Sequence, residues 1–112
     1  MKAEDFFIGQ AEMKIEFVEG DIERRIYTGD HIQVVEYRFP AGKTFPPHKH
    51  EREEQMGYLV SGKMGFNIGG IIQDLNPGEW YRAPAGVEHN AWTYEEPSVL
   101  LDLFSPPRED LK

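Results

Sequence analysis

Glycine and proline punctuation limits this chain more than any other feature. Turn-forming clusters recur at close spacing: Glu19-Gly20-Asp21, Thr28-Gly29-Asp30, Ser61-Gly62, Gly69-Gly70, Asn76-Pro77-Gly78, Pro84-Ala85-Gly86 and Glu95-Glu96-Pro97. Each combines residues that accept a positive φ, preset φ or bond their own backbone, so each ends whatever precedes it. The runs between them are short: Lys14 to Val18, Ile22 to Tyr27, Ile32 to Phe39, Gln55 to Val60, Lys63 to Ile68, Ile71 to Leu75, Glu79 to Arg82, Glu88 to Tyr94 and Val99 to Phe104. None repeats apolar residues at i, i+3 and i+4 over a helical length. Ile32 to Phe39 is rich in β-branched and aromatic residues and stops at Pro40, as a strand does. The pattern predicts an all-β sandwich or barrel.

The chain has 112 residues, which suits one domain spanning 1–112 with a single core. A short arm over about residues 1–12 carries the apolar patch Phe6-Phe7-Ile8, and a Pro-rich polar tail runs over 105–112. The formal net charge of -8, with no large Lys/Arg cluster, argues against nucleic acid. An anionic small substrate stays open, because a few arginines in a pocket outweigh the global sign locally. Without cysteine, neither a disulfide frame nor a thiolate metal site forms. The acidic start and the absence of a long apolar run predict a cytoplasmic protein with no membrane partner. A homodimer that hides a strand edge is the expected assembly.

Against this scaffold, Gly42 to Gly62 carries the chemistry. It reads GKTFPPHKHEREEQMGYLVSG. On an extended backbone residues i and i+2 share a face, so His48 and His50 present two imidazoles together while Lys49 points away. Gln55 follows five residues later, and Gly78 to Asn90 supplies His89 beyond a Pro-x-Gly turn. His48, His50, Gln55 and His89 make a three-nitrogen, one-oxygen donor set that leaves an octahedral ion open positions for water or substrate. Taken as spacing alone, the pattern is also met by surface or turn histidines.

At these residues the chain resembles the cupin superfamily, small jelly-roll β-barrels. Its first motif, G-x5-H-x-H-x3,4-E-x6-G, falls on Gly42, His48, His50, position 55 and Gly62. The second, G-x5-P-x-G-x2-H-x3-N, falls on Gly78, Pro84, Gly86, His89 and position 93. Two positions depart: Gln55 replaces the usual Glu, and Thr93 replaces Asn in a structural place. Gln55 brings no charge, so an ion held here keeps its full positive charge and is a stronger Lewis acid. A closer resemblance, carried by PPHKHEREEQMGYLVSGKMGFNIGG and LLDLFSPPRED, is to the KdgF family of single-domain pectin-degradation cupins. That resemblance implies one divalent metal ion per chain and a small anionic sugar substrate. The activity it implies is opening of 4,5-unsaturated uronate monomers from pectin, or from alginate, to the linear 5-keto-4-deoxyuronate. The donors suit nickel, zinc, manganese or iron alike.

The resemblance places Asp102 and Arg108 beside Gln55 among the functional residues. Read as a strand, Leu100, Asp102 and Phe104 share one face, where a carboxylate between apolar neighbours needs a partner or a cavity. Asp102 is then a candidate acid or base, or a structural partner of Arg38 or Arg82. Arg108, after Ser105-Pro106-Pro107, is a candidate clamp for a substrate carboxylate, or an ordinary tail residue. The aromatic side chains, Tyr81 among them, read as core or wall. Other outcomes for the same fold are a non-catalytic sugar-binding cupin, or a cupin dioxygenase or isomerase acting on another small organic acid.

Overall fold

Ten strands follow one another in the computed structural model, which describes residues 1–112. They are β1 (Lys14–Val18), β2 (Ile22–Thr28), β3 (Gln33–Phe39), β4 (Thr44–His48), β5 (Glu54–Ser61), β6 (Met64–Ile68), β7 (Ile71–Leu75), β8 (Trp80–Ala83), β9 (His89–Thr93) and β10 (Ser98–Ser105). Every turn-bounded run of the sequence is a strand, and β4 adds the first half of the histidine stretch. The only helical pieces are three single turns of 3-10 type, at Ala3–Asp5, Gln10–Glu12 and Glu109–Leu111. No helix is long and apolar enough to cross a membrane.

The strands form two antiparallel sheets, one of six in the order β1-β2-β3-β10-β5-β8 and one of four in the order β4-β9-β6-β7. Their inner faces enclose one hydrophobic core. Ile22, Ile26, Val35, Tyr37, Leu59, Leu100 and Phe104 come from the larger sheet, and Met64, Phe66, Leu75 and Ala91 from the smaller. β10 shows the logic plainly: Ser98, Leu100, Asp102 and Phe104 are buried while Val99, Leu101 and Leu103 are only partly so. That is the two-residue period of a strand with one face on the core.

Two expectations need correction. The chain is all-β and cupin-like, and of the two architectures expected it is the sandwich: its two sheets do not close into a barrel. One reason lies in β4, where Pro46 and Pro47 offer no N–H to a further strand, so the four-stranded sheet ends there. The two histidines of His-x-His do not share one strand. β4 stops at His48 and His50 lies in the irregular loop that follows, just before the bend at Glu51-Arg52, and Gly86 N–H donates to the His50 carbonyl at 2.8 Å. The C-terminal segment is docked on the sandwich: Leu111 is 0 % exposed, and the buried Gln33 amide accepts from Arg108 N–H at 3.1 Å and donates to Arg108 carbonyl at 3.2 Å.

Candidate metal centre

His48 and His89 face each other directly in the β4–β9 register, so the pleat puts both rings on the inner face of the smaller sheet. Their centroids are 4.1 Å apart. His50 enters from the loop after β4, 5.1 Å from His48 and 5.4 Å from His89 between ring centroids. One ring nitrogen from each of the three lies within 4.8 Å of the others. The larger sheet supplies Gln55 from the opposite side, its Oε1 lying 3.0 Å from His89 Nε2. The four side chains thus come from β4, the loop that follows it, β5 and β9.

The hydrogen bonds set which lone pairs point inward. His48 Nδ1 and His89 Nδ1 donate to the carbonyls of Pro46 and Val87, at 2.9 and 3.0 Å, which leaves each Nε2 as an acceptor. Gln55 Nε2 donates to Tyr81 Oη at 2.6 Å and to Asp102 Oδ2 at 3.1 Å, and Tyr81 Oη donates to Asp102 Oδ1 at 2.6 Å. This network fixes the amide so that its oxygen faces His89. His89 thus faces an oxygen acceptor at each ring nitrogen, and a neutral imidazole has only one N–H to serve the two. His50 Nε2 is buried with no hydrogen-bond partner at all. Buried polar atoms seldom go unpaired, and a cation satisfies both faults. The donor set fits a divalent metal ion.

Electrostatics agree with that fit. Burial is the main cause that pushes His48 and His50 down to about 4, with Arg108 adding to the depression of both. His89 is lowered for the same chief reason, against a raising hydrogen bond to Val87. All three are therefore neutral ligands at physiological pH, so an ion need displace no proton from them. Burial pushes Asp102 up to about 7, against the lowering hydrogen bonds from Tyr81 and Gln55 and the charge of Arg108. Tyr81 is raised well above its ordinary value by its own burial and by Asp102. It is a neutral donor.

Tyr81 is the residue that sequence reading missed. Gly57 signals it. On β5, Gly57 pairs with Asp102 on one side and Tyr81 on the other, and a Cβ there would sit 1.9 Å from the tyrosine ring and 2.4 Å from Asp102 Oδ1. A missing side chain lets two polar groups from flanking strands meet across the sheet. Asp102 is 2 % exposed and pairs with neither Arg38 nor Arg82, which bind Glu36 and Glu54 instead. Thr93 accepts from Lys43 N–H and donates to the Pro40 carbonyl, which ties the turn before β4 to β9. Its role is structural.

Arg108 stands at the edge of this cluster. Its guanidinium lies 5.0 Å over the Phe104 ring, and that ring meets His50 at 5.6 Å. Its Nε and Nη2 donate to the two carboxylate oxygens of Asp110, at 3.1 and 2.7 Å. The space left between the sheets at His48, Gln55, Tyr81, His89 and Asp102 amounts to about 20 Å³. That holds a water-sized group and not a sugar ring.

Comparison with known proteins accords with this geometry. Residues 35–104 match the model of the Cupin domain family. The pectin degradation protein KdgF of Dickeya dadantii is 37% identical over 90 residues, covering 80% of this chain and 82% of that protein. The structure of KdgF from Halomonas superposes with a TM-score of 0.86 at 34% identity, covering 95% of this chain and 97% of that one. A cupin of RmlC-like type from Shewanella frigidimarina superposes at 0.84 with 29% identity, covering 96% of each chain. Motifs, fold and relatives agree: the chain belongs to the cupin family and is closely related to KdgF.

Proposed function

We propose that this cupin converts 4,5-unsaturated uronate monomers from pectin, and from alginate where present, into the linear 5-keto-4-deoxyuronate. His48, His50, Gln55 and His89 hold one divalent ion, and Asp102 and Arg108 act on the substrate. The observation that carries this reading is a buried carboxyl, Asp102, hydrogen-bonded to Gln55 and Tyr81 beside three convergent histidines, with burial pushing it up to about 7. Such a group is poised to give and take a proton at neutral pH.

The conversion is an isomerisation. A proton leaves the anomeric hydroxyl, the bond from C1 to the ring oxygen breaks, and the oxygen on C5 becomes that of an enol. A proton added at C4 then yields the ketone, so protons lost and gained balance. When bound, the ion supplies Lewis-acid stabilisation of oxygen on which negative charge grows. Asp102 delivers the proton to C4, and the donors Tyr81 Oη and Gln55 Nε2 receive the carboxylate it leaves. Because the inner space is small, the ring lies at its mouth, beside His50. There the planar fork of Arg108 takes the substrate carboxylate and sets the register.

The test is a timed NMR spectrum of freshly generated unsaturated uronate. The vinyl signal is expected to vanish faster with the metal-loaded protein than without it. Decay at the spontaneous rate, with the sugar nonetheless bound, would turn the site into a sugar-binding module. The working form in this reading is a homodimer. β1 is an edge strand, and its Ile15 and Phe17, like Phe6 and Phe7 of the N-terminal arm, are exposed; an open edge and bare apolar side chains of this kind are what a second copy would cover.

A further inference from the structure

Arg108 is held in place from three directions. The Gln33 amide, itself 0 % exposed, brackets its main-chain N–H and carbonyl. Leu111 is inserted into the core three residues on, and the guanidinium rests on Phe104. None of these fixtures needs Asp110. Yet Asp110 takes the guanidinium side on, with one oxygen on Nε and the other on Nη2. The pair is lopsided: the Arg108 side chain is 13% exposed and the Asp110 side chain 67%. A fixed cation is thus paired with a carboxylate that sits largely in solvent, on a single 3-10 turn.

We infer that Asp110 is a built-in placeholder for the substrate carboxylate, occupying the Nε/Nη2 edge of the guanidinium until a uronate takes that same edge and displaces it. The inference rests on the reading of Arg108 as the carboxylate clamp. An internal carboxylate in the fork sets a threshold: weak monodentate anions such as chloride do not displace it, whereas a planar carboxylate that also reaches the metal centre does. It also cancels the Arg108 charge at rest, so that charge is not left uncompensated beside three ligands that await a cation.

The experiment titrates galacturonate, a saturated uronate that is not turned over, into metal-loaded wild type, D110N, R108Q and the double variant, following binding by calorimetry and the Arg108 Nε–H signal by ¹⁵N NMR. Removing a competing exposed ion pair should tighten binding by about two- to fivefold in D110N. The Nε–H signal should already be displaced toward its unpaired position in ligand-free D110N, and the double variant should bind no tighter than R108Q. Equal or weaker binding by D110N, or tightening that persists without Arg108, overturns the placeholder. Turnover of the unsaturated uronate by wild type is read separately, so a protein that binds without converting sinks the proposed activity while leaving the placeholder standing.

Discussion

At the scale of single residues, the centre depends on which atoms are left without partners. Gln55 is neutral, so its usefulness as a ligand rests on orientation, and Tyr81 and Asp102 supply that orientation through its amide nitrogen. Tyr81→Phe removes the shortest of these bonds while keeping the ring that stacks on Phe66. Loss of an outer partner of this kind should weaken metal binding about 10- to 100-fold, read by competition with a chromophoric chelator. Unchanged affinity would show that Gln55 is not a ligand. Asp102→Asn keeps the shape but removes the proton. Turnover should fall by about 10²-fold or more while metal content, measured by elemental analysis, stays near one ion per chain. Retained turnover would strip Asp102 of its proton-transfer role.

Among elements, β5 and β10 matter most, since they lie side by side in the interior of the larger sheet and bring Gln55 and Asp102 together. Their contact depends on Gly57. Gly57→Ala drives a methyl into Tyr81 and Asp102, where a ring edge and a hydrogen-bonded carboxylate leave little room to yield. Overpacking of this kind should cost about 1–3 kcal/mol, measured by urea denaturation, and should weaken metal binding with it. Wild-type stability in that variant would mean that β5 and β8 shift apart easily. Edges matter in another way. β4 holds two prolines just before its last residue, His48, and a bulged register between Phe45 and His48, and this irregularity aims His48 inward while releasing the chain into the loop that carries His50.

For the whole molecule, pH acts on the two halves of the site in opposite senses. In metal-free protein His48 and His50 are depressed from 6.5 to about 4. Their contribution to stability is therefore fully present above pH 6.5 and is lost as pH falls through about 4. Asp102 is raised from 3.8 to about 7, so its contribution is fully present below pH 3.8 and is lost as pH rises through about 7. Asp102→Asn removes only the second trend. Plotted against pH, the stability of the chelator-treated wild type relative to Asp102→Asn should decline from about pH 4 to about pH 7 and then level off. A flat difference across that range would mean that Asp102 is not raised. Metal binds the folded state, so loading at about 100 times the dissociation constant should add about 2.7 kcal/mol, seen as a higher melting temperature that a chelator reverses. Light scattering at working concentration tests the dimer, with Phe7→Ser and Phe17→Ser together expected to yield monomer.

Much of this was written locally. Turn residues end strands by their own φ and hydrogen-bonding preferences, so the strand boundaries and the all-β class were legible from Gly, Pro and Asn placement. The candidate ligands were legible as types at a spacing, and the one carboxylate on the buried face of β10 stood out by its apolar neighbours. What the spacing could not carry was decided by chain segments far apart in sequence meeting in space. Only packing of one sheet on the other set Gln55 against His89, because that contact crosses the core. Tyr81 reached Asp102 only because a glycine on the strand between them left a gap. Leu111 and Gln33 turned a polar-looking tail into a fixed support for Arg108. Local propensity acts over neighbouring residues, whereas hydrogen-bond partners and desolvation depend on which strands become neighbours. The chain by itself therefore determined its strands and its ligand types, and the tertiary fold alone decided that Asp102 is hydrogen-bonded to Tyr81 and Gln55, that the Gln55 oxygen points at His89, and that Arg108 rests on the Phe104 ring that meets His50.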